Sequence, residues 1–249
     1  MASRIPPFFA LVALVLACST PPERRSDIAA SPPSDRVVVA PLNLALRIPA
    51  ELSGKGEPVW QELLGYLHER DRQIDVLAPV SAERLWLEAT ADLDRTDRRA
   101  ALRSAYSHFA RELARHRDFD VLVVPSLLMR PGHLSGSHAH WDGVQRELPN
   151  TAALADAGLG ELLSSGIRVA GLSGKVAAAS LHLVLLSADG SWLHDGLGGL
   201  VLLQELQRDN APGGALAFAT REAPFADRES LREGVVRAFE GPVLTAGRR

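Results

Sequence analysis

His133, His138 and His140 lie within eight residues of one polar segment, and three imidazoles presented together by a loop can bind zinc or copper. His138 and His140 flank Ala139, so a strand would put both on one face, whereas His133 is set apart by Leu134-Ser135-Gly136-Ser137 and has no required position. Neutral surface histidines in a Gly/Ser-rich hairpin explain the same letters, and no cofactor is assigned. Trp141-Asp142-Gly143-Val144 and Trp192-Leu193-His194-Asp195-Gly196 each set a tryptophan beside a turn-forming Asp-Gly. Exposed, they would form a binding rim with Trp141, Asp142 and Trp192 as partner contacts; buried, each Asp-Gly supports a tight turn and each tryptophan caps a sheet edge. A hydrolase needs a nucleophile activated by a positioned base. Its candidates are separate letters: Ser180 near His182, Asp195 beside His194, and His108 on a helix. There is no G-x-S-x-G elbow, and Gly158-Leu159-Gly160 lacks the third glycine and the preceding strand of a dinucleotide loop, so no catalytic residue is assigned.

The elements that must position these residues follow from hydrophobic periodicity. Arg36-Val37-Val38-Val39-Ala40-Pro41-Leu42 is a short β-branched run closed by proline and reads as a buried strand. Residues 57–70 set Val59, Leu63, Leu64 and Leu67 on one helical face. Ile74 to Val80 reads as a second strand, and Ser81 as the N-cap of a helix carrying Leu85, Leu87 and Ala89. A longer helix spans Arg98 to Arg117, with Ala101, Leu102, Ala105, Phe109, Leu113 and His116 as its apolar side. The continuous apolar run Phe119 to Leu128 suits a central strand covered on both faces. Arg130 to Gly174 reads as a polar excursion. Lys175 to Leu186 and Ser191 to Leu203 then read as two strands joined by the turn Ser187-Ala188-Asp189-Gly190, and a last helix spans about Ala226 to Glu240 with Leu231, Val235, Val236 and Phe239. The expected fold is a single α/β domain over residues 36–242, a mixed sheet of about five strands with helices packed on it, followed by a loose tail at 243–249.

Composition sets the outer limits. The 249-residue chain is 46% hydrophobic and 23% charged with a formal charge of -3, which gives no basic excess for nucleic acid. Cys18 is the only cysteine, so no intramolecular disulfide can form.

The first seventeen residues carry one positive charge, a short apolar run and then small residues, the three-part layout of a secretory signal. The apolar stretch Ile5 to Ala17 is far short of the ~20 residues that span a bilayer. Val15-Leu16-Ala17-Cys18 resembles the bacterial lipobox, with valine where leucine is commonest. The resemblance implies a signal peptide over residues 1–17, cleavage before Cys18, a thioether-linked diacylglycerol on its sulfur and acylation of the new amino group. Two or more acyl chains hold a protein stably on a membrane, at ~0.8 kcal/mol per buried methylene. Ser19 rather than aspartate after the cysteine implies delivery to the outer membrane. Residues 18–35 are rich in proline, serine and charge, and are expected to form a disordered tether.

The strand ending Val-Ala-Pro-Leu, its following helix, the strand ending near Pro79 and the strand Asp120 to Pro125 also carry a resemblance. Between Val37 and Leu203 the pattern is similar to the α/β domain shared by the amino-terminal part of the Tol system's periplasmic propeller protein, the curli secretion lipoprotein and the lipoprotein activator of penicillin-binding proteins. Arg130 to Gly174 departs from it. The resemblance implies an accessory that binds an envelope protein, and carries over no catalytic residue. The expected function is therefore a non-catalytic interaction or assembly module, membrane-bound through Cys18 at the outer membrane and facing the periplasm. The alternative is a lipid-anchored metal-dependent or hydrolytic enzyme using the His133/His138/His140 segment.

Overall fold

The computed structural model describes residues 36–70, 72–91, 93, 97–149, 173–208 and 216–240. The expected signal peptide, Cys18, the tether, Gly158-Leu159-Gly160 and the tail at 243–249 lie outside the described residues. Those described belong to one compact unit.

The valine run forms β1 (Arg36–Val39), and strand alternation sends its side chains to two separate cores: Val37 and Val39 to one face of the sheet, Val38 to the other. α1 (Glu57–His68) follows and packs Val59, Leu63 and Leu67 on the first face. β2 (Gln73–Val76) pairs parallel to β1 on its outer side. α2 (Pro79–Thr90) and α3 (Arg98–Ala114) then cover the second face with Leu85, Tyr106, Phe109 and Leu113. β3 (Val121–Ser135) returns parallel to β1 on its inner side. β6 (Ser173–Leu186) lies antiparallel along β3 from Leu122 to Ser135, and β7 (Trp192–Leu202) pairs with β6. α4 (Arg228–Glu240) closes the first face beside α1, burying Leu231, Val235 and Ala238.

This is the mixed α/β architecture that the sequence predicts, but the main sheet has seven strands among the described residues, not about five. The difference lies in the segment read as a polar excursion. Arg130 to Ser135 continues β3, and β4 (His138–Trp141) and β5 (Val144–Glu147) form a hairpin on its far end before β6 begins at Ser173. Within the segment read as polar, Leu134, Ala139, Trp141 and Val144 alternate inward and form a third apolar cluster with Val176, Ala178 and Leu202. A small separate sheet pairs β8 (Gln204–Arg208) with β9 (Leu216–Thr220).

Four boundaries also move. β2 stops at Val76 and α2 starts at Pro79 with Ala78 as its N-cap, because a proline cannot prolong a strand ladder but suits the first helical position; Ser81 therefore lies inside the helix. α3 ends at Ala114, which leaves His116 with its side chain 58% exposed and puts Tyr106 on the buried face in its place. α4 starts at Arg228, after Asp227 has accepted hydrogen bonds from the Glu229 and Ser230 amides.

Pro125 sits in the middle of β3, where it cannot donate to a neighbour. Asn43, held at φ +62°, bonds to Pro125 and to Leu127 beyond it. Its backbone N–H donates to Pro125 O, its Oδ1 accepts from Leu127 N at 3.0 Å, and its Nδ2 donates to Leu127 O at 3.1 Å, so its backbone and side chain together continue the ladder past the end of β1. On the first face β7 and α4 meet backbone to backbone. A Cβ on Gly198 would run into the Gly234 carbonyl oxygen and the Ala238 amide.

Candidate functional site

On the sheet face covered by α2 and α3, those helices lie over Leu122, Val124, Val184 and Leu186, while the β4–β5 turn reaches Ala179, Ser180 and Gly199. Between these two covers the side-chain rows of β3 and β6 become polar: Ser126 stands opposite His182, and Leu128 opposite Ser180. His182 Nε2 lies 2.7 Å from Asp195 Oδ1, the side chains being 15% and 23% exposed. An ionised carboxylate can only accept, so His182 Nε2 is the donor of this bond. Tyr106 descends from α3 to the same place. Burial pushes its phenol up to about 12, with the Ser126 hydroxyl acting against the rise and the Asp195 carboxylate adding to it.

The second polar chain is complete. Ser180 Oγ donates to Asp142 Oδ2 at 2.7 Å, and Arg130 donates through Nε to the same oxygen at 3.0 Å and through its terminal nitrogen to Oδ1 at 3.3 Å. Asp142 and Gly143 have φ of +37° and +81°, the positive pair of a type I′ hairpin. The carboxylate thus brackets the β4–β5 turn onto β6.

Each residue proposed as a partner contact is engaged inside the fold. Trp141 is buried, and its indole N–H donates to Ala179 O at 3.1 Å. Asp142 has its side chain 11% exposed within the bracket just described. Trp192 is half-buried, donates to Ser107 Oγ at 3.2 Å, meets Tyr106 edge-on at 5.7 Å and lies under the Arg103 guanidinium at 4.4 Å. The reading of Trp141 as an exposed rim is therefore corrected: the β4–β5 hairpin folds its indole inward.

The register places His133 directly opposite His140, with His138 two residues along the same face. His138 Nδ1 lies 3.1 Å from Ser137 Oγ, and His133 and His140 are exposed. Among the described residues no group of three or more His, Cys, Asp or Glu converges to hold a metal ion. The hydrolase letters also separate. Ser180 bonds Asp142 rather than His182, His194 Nε2 donates to Ala238 O at 2.7 Å, and His108 lines a shallow cleft of about 300 Å³ with Arg111 and Glu112. Asp195 serves His182, not its neighbour His194. Pairing the two strands back from the Asp189-Gly190 turn would have suggested it, but irregular register at Ala179/Ser180 and Leu185/Leu186 obscures the count. The Asp195–His182 pair has the form of a general base, yet Ser126 and Ser180 are both fully buried and present no hydroxyl to a substrate.

An apolar concavity lies elsewhere. A groove of about 530 Å³ runs beyond the carboxyl ends of β1 and β2 and over the start of α1, lined by Leu42, Ile48, Trp60 and Val76. This is the end of a parallel sheet where open α/β folds receive ligands. Val76 and the neighbouring Val80 are 43% and 80% exposed, an apolar margin that folding leaves in water.

The phenol of Tyr106 makes stability depend on pH at the alkaline end. Its folded pKa is raised, so the contribution is complete below pH ~10, where an unfolded tyrosine ionises, and is lost as pH rises toward about 12. Denaturant unfolding is expected to show stability falling by up to about 1.4 kcal/mol per pH unit in that window. Tyr106→Phe should flatten the fall, leaving a smaller one from Tyr66, whose phenol burial also raises. A slope unchanged by Tyr106→Phe would refute the assignment.

No helix among the described residues is long and apolar enough to cross a membrane. No protein-family model, no curated protein and no solved structure matches the chain.

Proposed function

We propose that this chain is an outer-membrane lipoprotein, anchored through Cys18, whose α/β domain is a non-catalytic module that engages an envelope protein in the periplasm. The groove at the carboxyl ends of β1 and β2 is the observation that carries the reading. Residues 1–35 join β1 at Arg36, its amino end, and the groove lies beyond its other end. The groove is open and apolar, so an apolar segment of a partner protein can enter it. The lipobox and the likeness to the Tol, curli and penicillin-binding-protein lipoprotein domains support an envelope partner. Membrane attachment and partner binding are separate in this arrangement: lipid at Cys18, apolar contact at Leu42, Trp60 and Val76.

Two substitutions test the two halves. Cys18→Ser is expected to leave a folded domain that no longer fractionates with the outer membrane. Val76→Asp is expected to stay on the membrane yet lose at least tenfold in crosslinking yield to the partner that the wild-type lipoprotein captures. Outer-membrane retention of Cys18→Ser would sink the anchor, and undiminished crosslinking by Val76→Asp would sink the groove.

A further inference from the structure

At the far end of the main sheet, strands β6, β3, β4 and β5 run side by side, and their register sets Lys175, His133, His140 and Gln145 in one row across the exposed face. His133 and His140 are directly opposed across the β3–β4 ladder. No hydrogen bond or ion pair among the described residues engages either ring. The other histidines of the sheet are committed: His138 to Ser137, His182 to Asp195 and His194 to the Ala238 carbonyl.

The backbone beneath this pair is fixed from the other face. Leu134 and Ala139, the next opposed residues along the ladder, are buried in the third cluster with Trp141, and a slip of one residue would turn them out to water. Opposed residues of an antiparallel pair hold their Cβ atoms about 4.5 to 5.5 Å apart. A tetrahedral ion bound through nitrogen at about 2.0 to 2.1 Å needs two such atoms about 3.3 Å apart. Two exposed imidazoles on opposed positions reach that separation by side-chain rotation alone. The charged neighbours nearly balance. Lys175 faces His133 from β6 on a long flexible stem, and the Glu147 carboxylate stands opposite His138 on β5, diagonal to His140.

We propose that His133 and His140 form a two-imidazole binding site for divalent copper or zinc, with the ion's remaining positions left to solvent. Imidazole suits both ions, and copper is the more tightly held of the two at a given set of nitrogen ligands. His138, grouped with this pair by sequence, is not a ligand, because its ring is held at the hairpin turn by Ser137. Each strand supplies one ligand, so the ion clasps β3 to β4 and stabilises the folded state in proportion to its binding. The site shares no residue with the groove or the lipid anchor, and its failure would leave both untouched.

Calorimetric titration of the full chain with Zn2+ and with Cu2+ tests the site. The expected result is one ion bound, more tightly for Cu2+, with His133→Ala and His140→Ala each weakening it about tenfold or more and His138→Ala binding as the wild type does. Added Zn2+ should raise the melting temperature of the wild type and of His138→Ala, and leave those of His133→Ala and His140→Ala where they stand without metal. The electron paramagnetic resonance spectrum of the Cu2+ complex should show two coordinated nitrogens. A wild type that binds neither ion, binding undiminished in His133→Ala or His140→Ala, or a loss in His138→Ala as large as theirs would each overturn the proposal.

Discussion

Gly198→Val should cost about 3 kcal/mol or more and lower the denaturant midpoint accordingly, placing it among the most damaging single changes in the chain. The cause is backbone, not side-chain, crowding. A Cβ at this position meets the Gly234 carbonyl and the Ala238 amide of α4, and neither can rotate away. To admit the branched side chain, α4 must lift off β7 and uncover Leu231, Val235 and Ala238, all at 1% exposure or less. Even Gly198→Ala should be clearly destabilising, whereas Gly65→Ala, in α1 with nothing within 4 Å of its added methyl, should be neutral or stabilise by about 0.5 to 1 kcal/mol. If Gly198→Ala melted with the wild type, the close approach of α4 to the sheet would be wrong.

Trp141→Ala is expected to cost about 3 to 5 kcal/mol in equilibrium unfolding. The indole is 6% exposed and stands at the centre of the third cluster with Val144, Val176, Ala178 and Leu202. Its N–H also supplies Ala179 O, so Trp141→Phe should recover most of the packing but still lose about 1 kcal/mol for the missing donor. An exposed contact residue would behave in the opposite way, losing partner affinity at constant stability. Unfolding curves of the two variants that overlay the wild type would restore the rim reading.

These two residues also mark where the sequence is readable. The β1, α1, α3, β6 and β7 patterns are strong because each element buries one face or both, and the period of its apolar residues is then fixed by geometry. Trp141 was ambiguous because a tryptophan beside Asp-Gly has the same letters in an exposed rim and in an inward-folded hairpin. Only the neighbours of β4 decide, and those come from Val176, Ala178 and Leu202, distant in the chain. The polar row was illegible for a related reason. Ser126, His182, Asp195 and Tyr106 lie on four elements, and no local spacing connects them. The groove is a property of loop ends around β1 and β2, where periodicity carries no information.

The Asn43 bridge bears on how the domain assembles. Asn43 and Leu127 are 84 residues apart in sequence, and the parallel pairing of β1 with β3 spans a similar distance. By contrast β6 and β7 are joined by the short Ser187–Ser191 turn and can zip together locally. Closing the long loop costs chain entropy before any contact rewards it, and topologies rich in such distant contacts fold slowly. Pairing of β1 with β3 is therefore expected to form late in folding, which pulsed hydrogen exchange on the Val37–Val39 amides would check. Until β3 pairs with it, β1 lacks its inner partner, and its three valines form an apolar strand edge open to premature association.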